Sequence, residues 1–162
     1  MELRVLLHDV RKIEAEALVV GCFEDVRPLK GMAGELDWLL CGSLSQLLLK
    51  GHFTGALGDT ALTTSRGKIK VGKLFMVGMG PQGQNSEETT RAFSRAVAKG
   101  LLSAGVANSV IEYVPPAGRD ETRHLRAIRD GLREGSEGRG LTVQLLVQDP
   151  LVYERISRLV NA

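Results

Sequence analysis

A glycine-rich turn after an apolar run is the part of this chain best suited to bind a ligand. It reads Gly78-x-Gly80-x-x-Gly83 and follows the apolar run Leu74–Val77. A turn of this kind, between a buried strand and a helix, can present backbone N–H groups to a phosphate. The same glycines would also serve as an ordinary strand-to-helix connection without a ligand.

The turn departs from a dinucleotide-binding fingerprint, which keeps its third glycine inside the helix and an acid at the next strand end. Here Pro81 follows the second glycine, and the helix is capped only at Ser86. The next strand ends in Tyr113-Val114-Pro115, where no acid could hold a ribose. We therefore predict no Rossmann cofactor, and no other cofactor signal is present.

Side chains that could act as nucleophiles are few. Cys22 follows an apolar segment, where α/β enzymes place catalytic groups, although cysteine is more commonly a small buried apolar residue. The adjacent carboxylates Glu24 and Asp25 would ordinarily face solvent. No G-x-S-x-G motif is present, so we predict no catalytic residue.

The three histidines have no metal-binding spacing with cysteines or carboxylates. H-E-x-x-H and C-x-x-C motifs are absent, so we predict no metal site. His8 ends the first strand, and His52 lies in a glycine-punctuated loop. His124 lies among arginines at helical spacing, which predicts a solvent-exposed helix face.

Six apolar segments predict strands: Glu2–Leu7, Ala17–Gly21, Asp59–Ser65, Lys73–Met79, Asn108–Val114 and Leu141–Val147. Apolar residues at intervals of three and four predict helices over 36–40, 43–50, 87–104, 119–134 and 150–160. The segments 59–65 and 73–79 are close enough to pair as an antiparallel hairpin. Alternation of strands and helices from residue 73 onward predicts a three-layer α/β/α sandwich with a mixed sheet.

Helix ends follow from residue type. Ser43, Ser86 and Asp149 are placed to cap three helices, because their side-chain oxygens accept bonds from first-turn N–H groups. Gly135, Gly138 and Gly140 are expected to end the fourth helix. The segment Gly31-Met32-Ala33-Gly34 is expected to be a flexible loop.

Composition predicts one globular domain over residues 1–162. A formal net charge of +2 and an aromatic content of 4% argue against nucleic acid or an anionic membrane as partner. No apolar run approaches the roughly 20 residues of a membrane span. Because the cysteines are widely separated and lie outside any C-x-x-C motif, a disulfide is not indicated, and we expect a cytoplasmic location.

A series of short motifs runs along the chain: Val19–Glu24, Leu36-Asp37, Leu44–Leu48, Phe53–Gly55, Leu57–Thr60, Lys73–Gly80, Arg91-Ala92 and Ala96. In order and spacing, over roughly residues 1–150, the series resembles the N-terminal domain of the leucyl aminopeptidase (cytosol aminopeptidase) family. The resemblance implies a macro-domain-like α/β/α fold.

The resemblance implies no catalytic role. In that family the two metals and the active-site lysine and arginine belong to the C-terminal domain, which we expect to begin where this chain ends, at Ala162. No segment like its N-T-D-A-E-G-R is present. We therefore expect a non-catalytic, stand-alone domain acting through protein contacts, in assembly or regulation, with a protein partner or a second copy of itself.

Macro domains bind ADP-ribose, so an ADP-ribose or nucleotide-phosphate binding module is the alternative. The ligand residues that this resemblance implies are Glu16, Gly31, Gly34, Gly78, Gly80 and Gly83. Glu16 would be the acid that meets adenine. The N-A-A-N segment of macro domains is replaced by Gly21-Cys22-Phe23-Glu24, so ADP-ribose hydrolysis is not expected, whereas binding stays open. A small hydrolase using Cys22 or Glu24 is a third interpretation.

Overall fold

The chain forms one six-stranded sheet with helices on both faces. The structure, a computed structural model, describes all residues from 1 to 162. The strands are β1 (Glu2–Leu7), β2 (Glu14–Phe23), β3 (Thr60–Thr63), β4 (Lys70–Gly80), β5 (Asn108–Glu112) and β6 (Thr142–Val147). The helices are α1 (Gly31–Leu39), α2 (Ser43–Leu49), α3 (Glu87–Ser103), α4 (Glu121–Ser136) and α5 (Pro150–Val160).

The strand order across the sheet is β1-β6-β5-β2-β4-β3. All neighbours are parallel except β3, which runs antiparallel to β4 with Thr60 opposite Val77. The predicted mixed sheet and hairpin are therefore confirmed. The central strand β2 is apolar from Ala17 to Phe23, where helices cover both of its faces, and begins with the exposed Glu14 and Glu16.

Side chains alternate between two separate apolar cores along each central strand. In β2, Val19 packs into the core beneath α3, α4 and α5, whereas Leu18 packs into the core beneath α1 and α2. In β4, Phe75 and Met76 divide in the same way. This alternation confirms the predicted three-layer α/β/α sandwich.

Two predicted helix caps are confirmed. The Ser86 side chain accepts a bond from the backbone N–H of Thr89 at 3.2 Å, and the Thr89 hydroxyl accepts one from the Ser86 N–H at 2.8 Å. Asp149 accepts from the N–H of Leu151 at 2.8 Å, with Pro150 as the first residue of α5. Both helices therefore begin where their first-turn donors find partners.

The predicted cap at Ser43 is wrong. Ser43 is the first residue of α2, and the position before it is Gly42, in the left-handed conformation at φ 81°. The turn brings Asp37 of α1 over the start of α2, where its carboxylate accepts the N–H groups of Leu44 and Ser45, each at 2.9 Å. A side chain from the preceding helix thus replaces the local cap.

The predicted flexible loop at Gly31–Gly34 is instead the first turn of α1. The N–H of Gly34 donates to the Lys30 carbonyl at 3.2 Å. A Cβ on Gly34 would lie 2.5 Å from the Leu29 carbonyl oxygen. The absence of a side chain at Gly34 therefore lets the first turn of α1 pack closely against the backbone of Leu29. From the sequence alone, the same glycine is typical of a loop.

Helix α4 ends at Ser136, within the glycine segment predicted to end it, but Gly135 itself still lies inside the helix. Gly131 and Gly135 face α3, and a Cβ on either would lie 2.3 or 2.4 Å from the carbonyl oxygens of Arg91 and Arg95. The two glycines allow the backbones of α3 and α4 to touch. A tertiary contact therefore overrides the low helix propensity of glycine at these positions.

Candidate functional site

The chain path divides at the carboxyl end of β2. This strand leads to α1 on one face of the sheet, whereas β4, β5 and β6 lead to α3, α4 and α5 on the other. Such switch points are where open α/β sheets bind ligands. The division therefore marks the carboxyl edge beside β2 as the candidate site.

The two strands next to β2 pair with it over different lengths at this edge. Pairing with β4 continues to the end of the strand, where Phe23 lies opposite Gly80. Pairing with β5 covers only three residue pairs and stops at Val19 opposite Ile111. Because β2 continues past this point unpaired on the β5 side, a crevice opens between the two strand ends.

This carboxyl-edge crevice consists of two adjoining cavities of about 240 and 350 Å³. Gly31, Glu112 and Val114 line both of them. The first extends over Cys22 and the second reaches Asp149. Most of the remaining wall is apolar, as in sites for small organic ligands.

Glu112, the last residue of β5, is the carboxyl group that lines both cavities of the crevice. Its Oε2 atom is sealed from solvent and has no hydrogen-bond partner, while the residue as a whole keeps part of its surface accessible. Burial raises the pKa of Glu112 to about 8. At neutral pH the group is therefore mostly a protonated acid, able to donate a hydrogen bond.

A small interior cavity of about 20 Å³ lies under α3 and α4 and also reaches Glu112. Three buried polar atoms without partners belong to residues that line it: Oε2 of Glu112, Oγ1 of Thr90 and Nδ1 of His124. A space of this size holds about one water molecule.

The expectation that His124 lies on a solvent-exposed helix face is wrong, because its side chain is 2% exposed. Its ring packs edge-on against Tyr113 at 5.8 Å, and Nε2 donates to the Val114 carbonyl at 2.9 Å. Since Nε2 carries the hydrogen, Nδ1 of the neutral ring is an acceptor. Burial lowers the pKa of His124 and favours this neutral form.

Cys22 is 3% exposed, as expected of a small buried apolar residue. Burial, with a smaller contribution from Glu112, raises the pKa of the Cys22 thiol to about 12. The reactive thiolate is therefore scarce at neutral pH. Asp25 accepts the N–H of Gln82 at 2.9 Å and so fixes the turn after β4, rather than pairing with Cys22.

Gly78 and Gly80 make room for the protein's own main chain. A Cβ on Gly78 would lie 1.9 Å from the Ala56 carbonyl oxygen, and the N–H of Gly80 donates to the Gly55 carbonyl at 3.0 Å. The loop of residues 55–58 therefore covers the end of β4. Gly83 lies on the exposed 3₁₀ turn Gln82–Gln84, with open space around its α-carbon.

The start of α3, which follows this turn, is occupied by its own cap. Ser86 and Thr89 exchange hydrogen bonds there. Glu87 and Glu88 add two negative charges to the first turn. A phosphate at this helix start would meet two carboxylates and partly occupied N–H groups.

The remaining predicted ligand residues lie at opposite edges of the sheet. Gly31 opens α1 beside the crevice, and the residue before it, Lys30, makes no side-chain cap. Gly34 follows in the same turn. Glu16 is exposed near the amino end of β2, about 20 Å along the strand from Cys22 at 3.3 Å per residue. The structure thus brings Gly31 to the crevice and leaves Glu16 away from it.

Glu112 is the functional candidate that the sequence pattern did not single out. The signal is a carboxylate that directly follows the apolar pair Val110-Ile111. Elsewhere, no group of three or more His, Cys, Asp or Glu side chains is arranged to hold a metal ion. None of the helices is long and apolar enough to span a membrane.

The fold is that of a macrodomain. A macrodomain of Oceanobacillus iheyensis superposes with a TM-score of 0.76 at 13% identity, covering 98% of this chain and 90% of that one. A mutant of tomato leucine aminopeptidase superposes with a TM-score of 0.72 at 19% identity. That match covers 99% of this chain and 35% of the tomato enzyme. At these identities the likeness shows the fold alone.

Residues 19–138 match the model of the cytosol aminopeptidase family, N-terminal domain. The chain belongs to this family. A probable cytosol aminopeptidase of Alkaliphilus oremlandii is 26% identical over 137 residues, which are 85% of this chain and 27% of the relative. One of Geobacter sulfurreducens is 30% identical over 122 residues, 72% of this chain and 24% of the relative. The chain thus spans about a quarter of the length of these relatives.

Proposed function

We propose that this chain is a non-catalytic accessory module that acts through protein–protein contacts, in assembly or regulation. The observation that carries the proposal is Trp38 on α1. It is the chain's single tryptophan, and its side chain is 87% exposed. Tryptophan side chains often contribute most of the binding energy at protein interfaces. Before the complex forms, such a side chain is exposed to solvent, as Trp38 is here.

Trp38 is part of a wider apolar surface on the α1–α2 layer. Leu49 at the end of α2 is 79% exposed, and Leu39, Leu47 and Leu48 are partly exposed. Covering such surface contributes roughly 25 cal/mol per Å². This layer consists of two short helices, whereas three longer helices cover the other face of the sheet. We place the contact surface on the α1–α2 layer.

The family supports a partner of one class, a catalytic aminopeptidase polypeptide. The relatives are named as aminopeptidases over lengths of which this chain covers about a quarter. The proposal therefore assigns to this chain an accessory contribution and leaves catalysis with the partner. We also propose a location in the cytosol, because the family is named for cytosol aminopeptidases.

Affinity capture from the native cell tests the proposal. We expect the wild-type chain to retain an aminopeptidase polypeptide and Trp38→Ala to lose it. Leu151→Ala is the matched control, since Leu151 is 72% exposed but lies on α5, on the other face of the sheet. Equal capture by all three chains would contradict the assignment of the surface. Metal-dependent release of leucine from leucyl-p-nitroanilide by the pure chain would overturn the non-catalytic role.

A second candidate function is binding of ADP-ribose or another nucleotide phosphate in the carboxyl-edge crevice. The observation that favours it is the uncapped first turn of α1, whose N–H groups begin at Gly31 on the crevice wall. Helix starts of this kind attract anions. Calorimetric titration with ADP-ribose tests it, and the absence of both heat and thermal stabilisation at millimolar ligand would remove it.

A further inference from the structure

We propose that the carboxyl-edge crevice binds a small apolar primary amine, whose ammonium group pairs with the carboxylate of Glu112. The inference does not rest on either candidate function above. It rests on the unpartnered acid at the junction of the cavities and on the apolar walls around it. The acid accounts for the ammonium group of the proposed ligand, and the apolar walls account for its hydrocarbon group.

The acid selects the ammonium head group. Glu112 makes no salt bridge and no side-chain hydrogen bond, and it lines both cavities of the crevice. A buried carboxyl without a donor is costly for the folded protein. An ammonium group brings three N–H donors and the missing positive charge, and charge-assisted bonds of this kind are the strong ones.

The walls select the apolar body. In the first cavity Phe23, Leu29 and Met79 face the space, and in the second Val147 and Val152 do so. Two cavities of about 240 and 350 Å³ have room for a branched aliphatic or an aromatic group. Burial of that group against these walls supplies the hydrophobic part of the binding energy.

The acidic and basic side chains of the crevice favour a cation, whereas the N–H groups at the start of α1 favour the anion of the second candidate function. The charged side chains that line the two cavities are Lys30, Glu112 and Asp149, so carboxylates outnumber cations. Lys30 and Asp149 are both exposed to solvent, which screens them. Of these three groups Glu112 is therefore the one sheltered from solvent, and its negative charge appears when an ammonium group displaces its proton.

Binding is coupled to the ionisation of Glu112. Since burial raises its pKa to about 8, an entering ammonium must displace a proton at neutral pH. The affinity therefore increases about tenfold from pH 7 to pH 9, by the linkage of one proton. The other titratable groups on these cavities and the interior one are Cys22, Lys30, Tyr113, Asp149 and His124. Burial raises the pKa of Tyr113 and keeps its hydroxyl neutral over this range. A pKa near 12 keeps Cys22 neutral, and a lowered pKa keeps His124 neutral over this range.

Titration with isoamylamine, followed by the amide NMR signals of Cys22 and Gly31, tests the proposal. Isoamyl alcohol is the matched ligand control, because it has the same body and no charge. We expect saturable shifts with the amine that are at least tenfold weaker with the alcohol. Equal responses to amine and alcohol, or an amine affinity that does not change between pH 7 and pH 9, would overturn the proposal.

Two variants complete the test. Glu112→Gln keeps the shape of the side chain and removes its charge, so we expect at least tenfold weaker binding of isoamylamine and no pH dependence. Glu24→Gln is the matched control, since this carboxylate lies near the same strand end but does not line the cavities. Unchanged binding by Glu112→Gln would overturn the assignment. If that variant does not fold, the ligand comparison and the pH profile of the wild type decide alone.

Discussion

Glu112 is an ionisable side chain for which the folded chain offers no partner. Its pKa is about 8 in the folded state, against an ordinary value of 4.5. Between these two values the unfolded chain has released this proton and the folded chain retains it. The folded state therefore loses stability as pH rises from about 4.5 to about 8, and is most favoured by this group below 4.5.

The first prediction follows from this linkage. Relative to Glu112→Gln, the wild type should lose free energy of unfolding between pH 5 and pH 8, by up to about 1.4 kcal/mol per pH unit for one proton. Urea unfolding at several pH values measures the difference. Parallel stability curves for the two proteins would show that Glu112 ionises normally in the folded state.

The second prediction concerns Gly78. A methyl group there would lie 1.9 Å from the Ala56 carbonyl oxygen, so Gly78→Ala should destabilise the protein by about 1–3 kcal/mol or more through overpacking. Gly83→Ala is the matched control, because nothing lies within 4 Å of the added carbon. Thermal unfolding compares the two. A tolerated Gly78→Ala would mean that the 55–58 loop moves away easily.

Some single residues could be predicted from the sequence and others could not. Burial of Cys22 and the caps at Ser86 and Asp149 follow from local residue type and position. Burial of His124 does not, because it depends on how α4 packs over Val114. Glu112 lies in a crevice that exists only because the β2–β5 pairing stops early, and no local pattern records that length.

At the scale of elements, the start of α2 is capped by a residue of the preceding helix and not by the serine next to it. Asp37 reaches α2 from α1 and accepts two of its first N–H groups, and the Ser45 hydroxyl also donates to it. We predict that Asp37→Ala costs about 1–2 kcal/mol of stability, the usual loss for a cap. Ser43→Ala should be close to neutral, since no cap hydrogen bond of Ser43 is present. Chemical denaturation of both variants measures this, and a larger loss at Ser43 would restore the local rule.

The positions of the strands and helices were largely predictable, because most segments carry a clear apolar period. The exceptions share one cause. Gly34, Gly131 and Gly135 are glycines inside helices, where each one allows a close backbone approach. Read locally, such glycines are typical of loops and helix ends. Their role becomes visible only when the neighbouring chain is in place.

At the scale of the whole molecule, the exposed Trp38 predicts how the isolated chain behaves. As a monomer it should emit at the wavelength of a solvated indole and be quenched readily by acrylamide. Trp38→Ala should change stability by less than about 0.5 kcal/mol, as is usual for surface positions. A blue-shifted, concentration-dependent emission would instead show that copies of the chain bury Trp38 between them. Light scattering on the same samples separates these outcomes.

The order of the strands could not be predicted from apolar patterns, because parallel pairing joins segments far apart in the chain. The resemblance to a known family supplied what the patterns could not. Its macro-domain-like fold is confirmed by the structural neighbours, whereas the contact partner and the ligand stay predictions. Fold is carried by many residues together, and a ligand site by a few.

The pairing of β1 with β6 has a consequence for synthesis. Leu3 pairs with Val143, so the first strand made has the last strand as its only neighbour in the sheet. At roughly 5–20 residues per second, β1 leaves the ribosome on the order of 10 s before its partner. During that interval a strand with both edges unpaired, which carries the apolar side chains Leu3, Val5, Leu6 and Leu7, is open to chaperones and to neighbouring nascent chains.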